Sequence, residues 1–327
     1  MAFFTDVIVK TELIHKAGYN YQPDQSLNIG FGIDENFARP MGVAMTSVLV
    51  NNPGQPLFFH VFTDGIKQED HKRLQQLVQL FPVAIKLYYI DPNIFRELRS
   101  TMQWSIATYY RFIMGQVLYE QVEKILYLDA DIICRGPLNE LKQVDFGGKT
   151  VAAVNDLIDS YHFPIRMKKL GITSGKYFNA GMLYIDINRW HEKDISERSL
   201  AALTAEPEKY DYLDQDVLNL LLENDICYID KKYNFVYNME KSTWELPAGV
   251  ILLHYATRQK PWHRWCAHPL AELFHDIAAK SPWKDVPLIA EPRNYKEMKM
   301  MARAMGKEHQ YGAMAYWYWR YMTGKFR

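Results

Sequence analysis

The run Lys124-Ile125-Leu126-Tyr127-Leu128-Asp129-Ala130-Asp131-Ile132-Ile133 is apolar and strand-like until two aspartates, one residue apart, break it. In a strand, residues i and i+2 point to the same side, so this reading turns Asp129 and Asp131 toward one point. Open α/β sheets bind their ligands beyond the carboxyl ends of their strands. Two hard carboxylate ligands there suit a divalent cation, which usually brings a phosphate with it. The expectation is a metal held for a diphosphate-bearing substrate. A surface loop with two acids is the competing reading, and the rest of the chain has to decide between them.

Outward from that run the chain alternates. Strands are expected over 27–32, 56–64 and 83–90. Between them lie a small-residue helix over 41–50 and a helix over 69–80, with Leu74, Leu77, Val78 and Phe81 at helical spacing. This β, α, β, α, β rhythm predicts the α/β class, with a mostly parallel sheet flanked by helices on both faces. A long helix over 104–122, carrying Thr108, Tyr109 and Arg111 in its first turns, feeds the strand that ends at Asp129. Further strands are expected over 150–154, ending at Asn155-Asp156, over 177–186, and over 250–255, which delivers His254 to its carboxyl end. Helices are expected over 196–204 and 217–223, the latter opened by Asp214-Gln215-Asp216, where acids suit the N-terminal dipole. Residues 1–27 read as a leader with one short helix.

The 327 residues suffice for one large α/β domain or two smaller ones. Lysine plus arginine equals aspartate plus glutamate at 38 each, which argues against bulk nucleic-acid binding. Cys134, Cys227 and Cys266 are scattered, so structural zinc is not expected and a reducing compartment fits. The first residues lack a basic region followed by an apolar core, so no secretory signal is read. No run approaches the roughly 18 apolar residues of a membrane span. The expected location is the cytosol or the inner face of a membrane.

Nucleotide-binding glycine loops are mostly absent. Gly30-Phe31-Gly32 starts a Gly-x-Gly, but Glu35 takes the third glycine position. Gly171 to Lys176 approaches a phosphate loop, but Gly175 comes one residue early and Tyr177 replaces Ser or Thr. A diphosphate would therefore need a metal and basic side chains. His254 is a candidate third ligand for a metal on Asp129 and Asp131. A carboxylate/imidazole set favours Mn²⁺ over Mg²⁺. Lys260, six residues on, can meet a phosphate as a point charge. A hydrogen-bonded structural histidine is the alternative.

In six motifs the chain resembles glycosyltransferase family 8, specifically the bacterial enzymes that add hexoses to the lipopolysaccharide outer core. In order these are Phe31-Gly32-Ile33-Asp34-Glu35-Asn36-Phe37, the stretch from Trp104 to Phe112, Tyr127-Leu128-Asp129-Ala130-Asp131, Phe178-Asn179-Ala180-Gly181, Asp214-Gln215-Asp216, and His254-Tyr255 through Lys260-Pro261-Trp262-His263. The resemblance implies an A-type, Rossmann-like glycosyltransferase fold with a helical C-terminal region. It implies a nucleotide-sugar-binding catalytic domain over 28–262 and a helical region over 263–327. It further implies metal-dependent, configuration-retaining transfer of glucose or galactose from UDP-glucose or UDP-galactose to a lipopolysaccharide core hexose, through an α-1,2 or α-1,3 linkage. Gly32, Ile33, Asp34, Asn36 and Phe37 would then hold uridine. Asp129, Ala130 and Asp131 would meet the nucleotide and, with His254, the metal. Lys260 would steady the leaving diphosphate. Arg111, Asp156, Asn179, Asp214 and Gln215 would surround the donor hexose. The family usually has glycine three residues after the histidine; Thr257 stands there, to reshape the diphosphate contact or donate a hydrogen bond to it.

No glutamate stands out as a nucleophile, and the resemblance places an amide, Gln215, near the sugar's far face, so front-side attack is the expected route to retention. The rivals are a haloacid-dehalogenase-type phosphohydrolase, against which Ile132 follows the second aspartate where Thr or Val is usual, and a non-catalytic nucleotide-sugar-binding protein. Residues 293–327 carry eight basic against two acidic side chains, interleaved with Tyr311, Tyr316, Trp317, Tyr318, Trp319 and Tyr321. That pattern suits an anionic membrane surface; a helical cap with solvated lysines is the alternative.

Overall fold

The computed structural model describes residues 4, 7–100, 105–156, 163–239 and 246–325. Its strands are β1 (Ile8–His15), β2 (Leu27–Ile33), β3 (Leu57–Thr63), β4 (Ala84–Ile90), β5 (Lys124–Leu128), β6 (Ile132–Cys134), β7 (Val151–Asn155), β8 (Phe178–Asp186), β9 (Ile226–Tyr228), β10 (Phe235–Val236) and β11 (Leu252–His254). Its helices are α1 (Ala38–Asn51), α2 (Gln68–Leu80), α3 (Tyr110–Val117), α4 (Asn139–Lys142), α5 (Phe163–Leu170), α6 (Ile187–Glu192), α7 (Ile195–Ala205), α8 (Leu213–Leu221), α9 (Ala271–Ala278), α10 (Tyr295–Lys307) and α11 (Tyr311–Lys325). Eight strands form one sheet in the order β1-β4-β3-β2-β5-β8-β7-β9, and β10-β11-β6 form a second. In the large sheet all strands but β1 and β8 run the same way. The expected mostly parallel, helix-flanked sheet is therefore present.

Period-two alternation explains the layers. Leu27, Ile29, Phe31 and Ile33 of β2 join Leu126 and Leu128 of β5 on one face, under Met45 of α1 and Leu74 of α2. Ile125 and Tyr127 of β5 and Leu183 and Ile185 of β8 face the other way, under Ile113 of α3 and Leu218 of α8. On this second face β2 carries glycine. A Cβ on Gly32 would come 3.0 Å from Tyr110 Cβ and 3.2 Å from the Ala107 carbonyl oxygen. The absence of a side chain lets the start of α3 approach the end of β2.

Three expectations need correction. The helix over 104–122 is a 3-10 turn at Ile106–Tyr109 followed by the short α3, with Leu118 closing onto the Met114 carbonyl. Glu120 then adopts φ 61°, a left-handed conformation that cannot continue a helix and turns the chain into β5. Trp104 lies outside the described residues. In the leader, β1 pairs antiparallel with β4 at the sheet edge, and the only helical turn over 7–27 is a 3-10 turn at Pro23–Gln25. Only Ile14 of β1 is buried, so the strand pattern is faint, and Lys10 and Glu12 give the edge charges that discourage further pairing. The expected strand over 177–186 is present as β8, antiparallel to β5, a direction that hydrophobic patterning does not encode. Finally, the strand over 250–255 is the shorter β11. It pairs antiparallel with β6 and places His254 opposite Ile132, one residue from Asp131.

Candidate active site

β5 ends at Leu128, so the two aspartates lie beyond the strand. The Asp129 N–H donates to the Gly181 carbonyl at 2.7 Å, and the Ile132 N–H donates back to the Asp129 carbonyl at 3.1 Å. Asp129 and Asp131 thus converge through a tight reversal into β6, not through strand alternation. β11 then brings His254 against them. One ligand atom from each of Asp129, Asp131 and His254 lies within 4.8 Å of the other two.

The neighbours of these groups leave coordinating atoms on one side. Asp129 uses Oδ1 to accept from Tyr127 Oη at 2.6 Å and Arg111 Nη2 at 3.0 Å. Its Oδ2 is 3.8 Å from His254 Nε2. Asp131 Oδ2 accepts from Lys260 Nζ at 2.6 Å. Asp131 Oδ1 is buried and has no donor; His254 Nε2 lies 3.1 Å away without hydrogen-bond geometry. A buried carboxylate oxygen without a donor is costly unless a cation meets it. Together with an imidazole nitrogen and a second carboxylate, it fits a divalent metal with mixed N/O preference. Burial works to raise the Asp131 pKa, but the Lys260 ammonium and, when it is protonated, the His254 ring outweigh it and hold the carboxyl well below its ordinary range.

Gly181 makes this convergence possible. A Cβ there would sit 2.2 Å from His254 Cε1 and 2.9 Å from Asp129 Oδ2. The ring occupies the volume that any other residue would fill.

The remaining predicted residues fall into two groups. Arg111, Asp214, Gln215, Asn179 and Asp156 lie beside the diacid turn. Arg111 is 5% exposed and its guanidinium bridges Asp129 and Asp214, the latter through Nε at 3.0 Å. Thr108 Oγ1 donates to the other Asp214 oxygen at 2.5 Å. Burial pushes the Asp214 carboxyl up to about 6 even though Arg111 opposes the shift. Gln215 accepts from the Ala180 N–H and donates to Tyr177 Oη. Asn179 donates to Asp156 at 3.3 Å. The second group ends β2, which neighbours β5. Asp34 accepts from the Asn36 N–H, starting a 3-10 turn at Glu35–Phe37. Phe37 meets Trp262 edge-on at 6.1 Å between ring centroids. The Ile33 side chain is buried in the core, as is Ala130. Thr257 accepts from the Met239 N–H at 3.3 Å, tying the loop after His254 to the segment after β10. The discarded phosphate-loop candidate turns its Thr173 and Ser174 N–H groups to Glu223 of its own chain.

The model of the family described as "Glycosyl transferase family 8" matches residues 28–266, and that of "Glycosyl transferase family 8 C-terminal" matches 268–325. The chain belongs to glycosyltransferase family 8. It is similar to the lipopolysaccharide 1,3-galactosyltransferase of Salmonella typhimurium, at 33% identity over 99% of this chain and 98% of that one. It is also similar to the lipopolysaccharide glucosyltransferase WaaO of Escherichia coli, at 35% identity over 87% of each. Among solved structures, the galactosyltransferase LgtC in complex with donor and acceptor sugar analogs superposes with TM-score 0.69 at 28% identity, covering 83% of this chain and 99% of that one. The fold is thus the A-type glycosyltransferase fold. The phosphohydrolase reading gains no support: a family 8 glycosyltransferase is an enzyme of a different class.

Two neighbours of this candidate site escape sequence reasoning. Tyr127 reads as a core strand residue, yet its hydroxyl fixes Asp129. Asn234, between a 3-10 turn and β10, contacts both His254 and Asn179. Nothing local to Tyr233-Asn234-Phe235 marks it.

Proposed function

We propose that this enzyme transfers glucose or galactose from the UDP-sugar to a lipopolysaccharide core hexose with retention, forming an α-1,2 or α-1,3 linkage. The observation that carries the reading is the convergence of Asp129, Asp131, His254 and Lys260 at the carboxyl edge of the sheet. The similar galactosyl- and glucosyltransferases of lipopolysaccharide support the donor and acceptor classes. Asp129, Asp131 and His254 would hold Mn²⁺ in preference to Mg²⁺. When bound, the metal neutralises charge developing on the departing diphosphate.

The chain's own groups do the rest. The Lys260 ammonium stabilises the same leaving group. The reacting sugar acquires oxocarbenium character, as in glycoside cleavage. Asp214 has both carboxylate oxygens engaged by Arg111 and Thr108, and the Gln215 amide is tied on both sides. Neither is free to attack the sugar, which favours front-side attack with the leaving phosphate oxygen taking the acceptor hydroxyl's proton. Gly32, Asp34, Asn36 and Phe37 would receive uridine beside Asp129. Purified protein, Mn²⁺, each UDP-hexose and truncated core lipopolysaccharides, followed by linkage analysis, form the test. Asp129→Ala and His254→Ala should each lower turnover by about 100-fold or more with the fold retained. Near-normal turnover in either would sink the metal site, and a trapped sugar adduct on Asp214 or Asp156 would sink front-side attack.

The region from α10 to α11 is proposed to rest on the anionic inner face of the cytoplasmic membrane. Helix α11 buries only Trp317 and exposes Tyr311, Tyr316, Trp319 and Met322. Arg320 lies over the Tyr316 and Trp317 rings and Lys299 over Tyr321, the mixture of basic and aromatic groups that headgroups accept. Among the described residues no helix is long and apolar enough to cross a membrane.

A further inference from the structure

Which nitrogen of His254 carries the proton follows from a chain of contacts that begins at Gly181. The Gly181 backbone N–H can only donate, and it lies 3.0 Å from Asn179 Oδ1, so that atom is the amide oxygen. The Asn179 amide nitrogen then faces Asp156 Oδ2, a carboxylate acceptor, at 3.3 Å. Asn234 approaches Asn179 Oδ1 at 3.0 Å and the Asn179 carbonyl oxygen at 3.4 Å. Two acceptors meet it on that side, so the group it presents is Nδ2. Its Oδ1 is left to face His254 Nδ1 at 3.0 Å. An amide oxygen only accepts, so Nδ1 holds a hydrogen, and in the neutral ring Nε2 keeps the lone pair. Nε2 is the atom that faces both aspartates.

We propose that Asn234 is a positioning residue that locks His254 in its metal-binding tautomer and couples that ring to Asn179 and Asp156. The inference rests on the metal reading of the site. Asn234 is 2% exposed, so water does not substitute for either contact. Its place is fixed by β10, which starts at the next residue and pairs Val236 with His254. Gly181 packs against the same ring, where a Cβ would come 2.2 Å from Cε1 and 2.8 Å from Nδ1. Partners that orient a ligating histidine through its other nitrogen tune metal affinity as well as geometry.

The tautomer can be read directly. In metal-free wild-type protein, ¹⁵N NMR of the neutral His254 ring, assigned by difference from His254→Ala, should find Nδ1 protonated and Nε2 bare. Mn²⁺ titration followed by electron paramagnetic resonance tests the consequence. Asn234→Leu removes both contacts and should weaken Mn²⁺ binding by about 10- to 100-fold. Asn234→Asp keeps an acceptor for His254 but loses the donor to Asn179, so Mn²⁺ affinity should stay near wild type while turnover falls. A merely structural asparagine would lower the Tm of both variants without separating affinity from turnover. Wild-type protein that fails to bind Mn²⁺ better than Asp129→Ala overturns the metal reading and this inference with it. Wild-type protein that binds Mn²⁺ no more tightly than Asn234→Leu overturns this inference alone, as does a protonated Nε2. The wild-type tautomer needs neither variant, so misfolding of one does not block the test.

Discussion

The His254 ring lies where a Cβ of residue 181 would be, with Cε1 only 2.2 Å from that position and Asp129 Oδ2 2.9 Å from it. Contacts that short cannot be absorbed by a small rotation, because Asn234 holds the ring through Nδ1. Gly181→Ala should therefore displace His254 from the aspartates and lower turnover by about 100-fold, with far-ultraviolet circular dichroism unchanged. More than half of wild-type turnover would show that the ring has another place to go. Asp129 shows the same economy. Tyr127 and Arg111 hold one of its oxygens, which orients the other toward His254. The Asp-x-Asp spacing is legible in the sequence, whereas the groups that aim it come from β5, α3 and β8.

At the scale of elements, three parallel strands share one buried polar network. His60 of β3 contacts Asn28 of β2 through Nε2 and Tyr88 of β4 through Nδ1, each at 3.0 Å. Burial, reinforced by the charge of Lys86, lowers the His60 pKa from 6.5 to about 3. Below pH 6.5 the unfolded chain takes up a proton there that the folded chain refuses. The stability is thus complete above the unfolded value and is lost as pH falls toward the folded one, by at most about 1.4 kcal/mol per pH unit. His60→Gln should flatten the pH dependence of urea stability between pH 6.5 and 4.5. His263, lowered by burial in the same way, leaves part of the slope in place. An unchanged slope in the variant would assign the acid sensitivity to other groups. The β2 to β4 elements themselves were legible because their apolar alternation and intervening helices repeat. The shortening of the helix before β5 was not, since it depends on Glu120 taking a left-handed backbone to aim the next strand.

For the whole molecule, Met301, Ala302, Ala304, Met305 and Trp317 of the α10–α11 hairpin form a small core with Trp265, which precedes α9. The hairpin therefore presents the outer aromatic face of α11 without drawing on the packing of the large sheet. A chain ending at Pro292 should keep turnover on a soluble acceptor but lose sedimentation with anionic liposomes. Equal sedimentation of the two forms would end the membrane proposal, and high salt should weaken binding of the full chain because part of the attraction is between charges.

The sequence by itself determined the α/β class, the diacid, and the histidine and lysine that meet it. Those depend on local periodicity and on residue chemistry, and both can be read along the chain. Tertiary structure decided what depends on strand direction and register. It made β1 an edge strand and reversed β8, so that Asn179 to Gly181 enter where Asp129 leaves. It also paired β11 with β6, closing the turn that brings Asp129 and Asp131 together beside His254. Hydrogen bonds between strands carry no side-chain signature, so only the folded sheets fix which residues stand opposite one another.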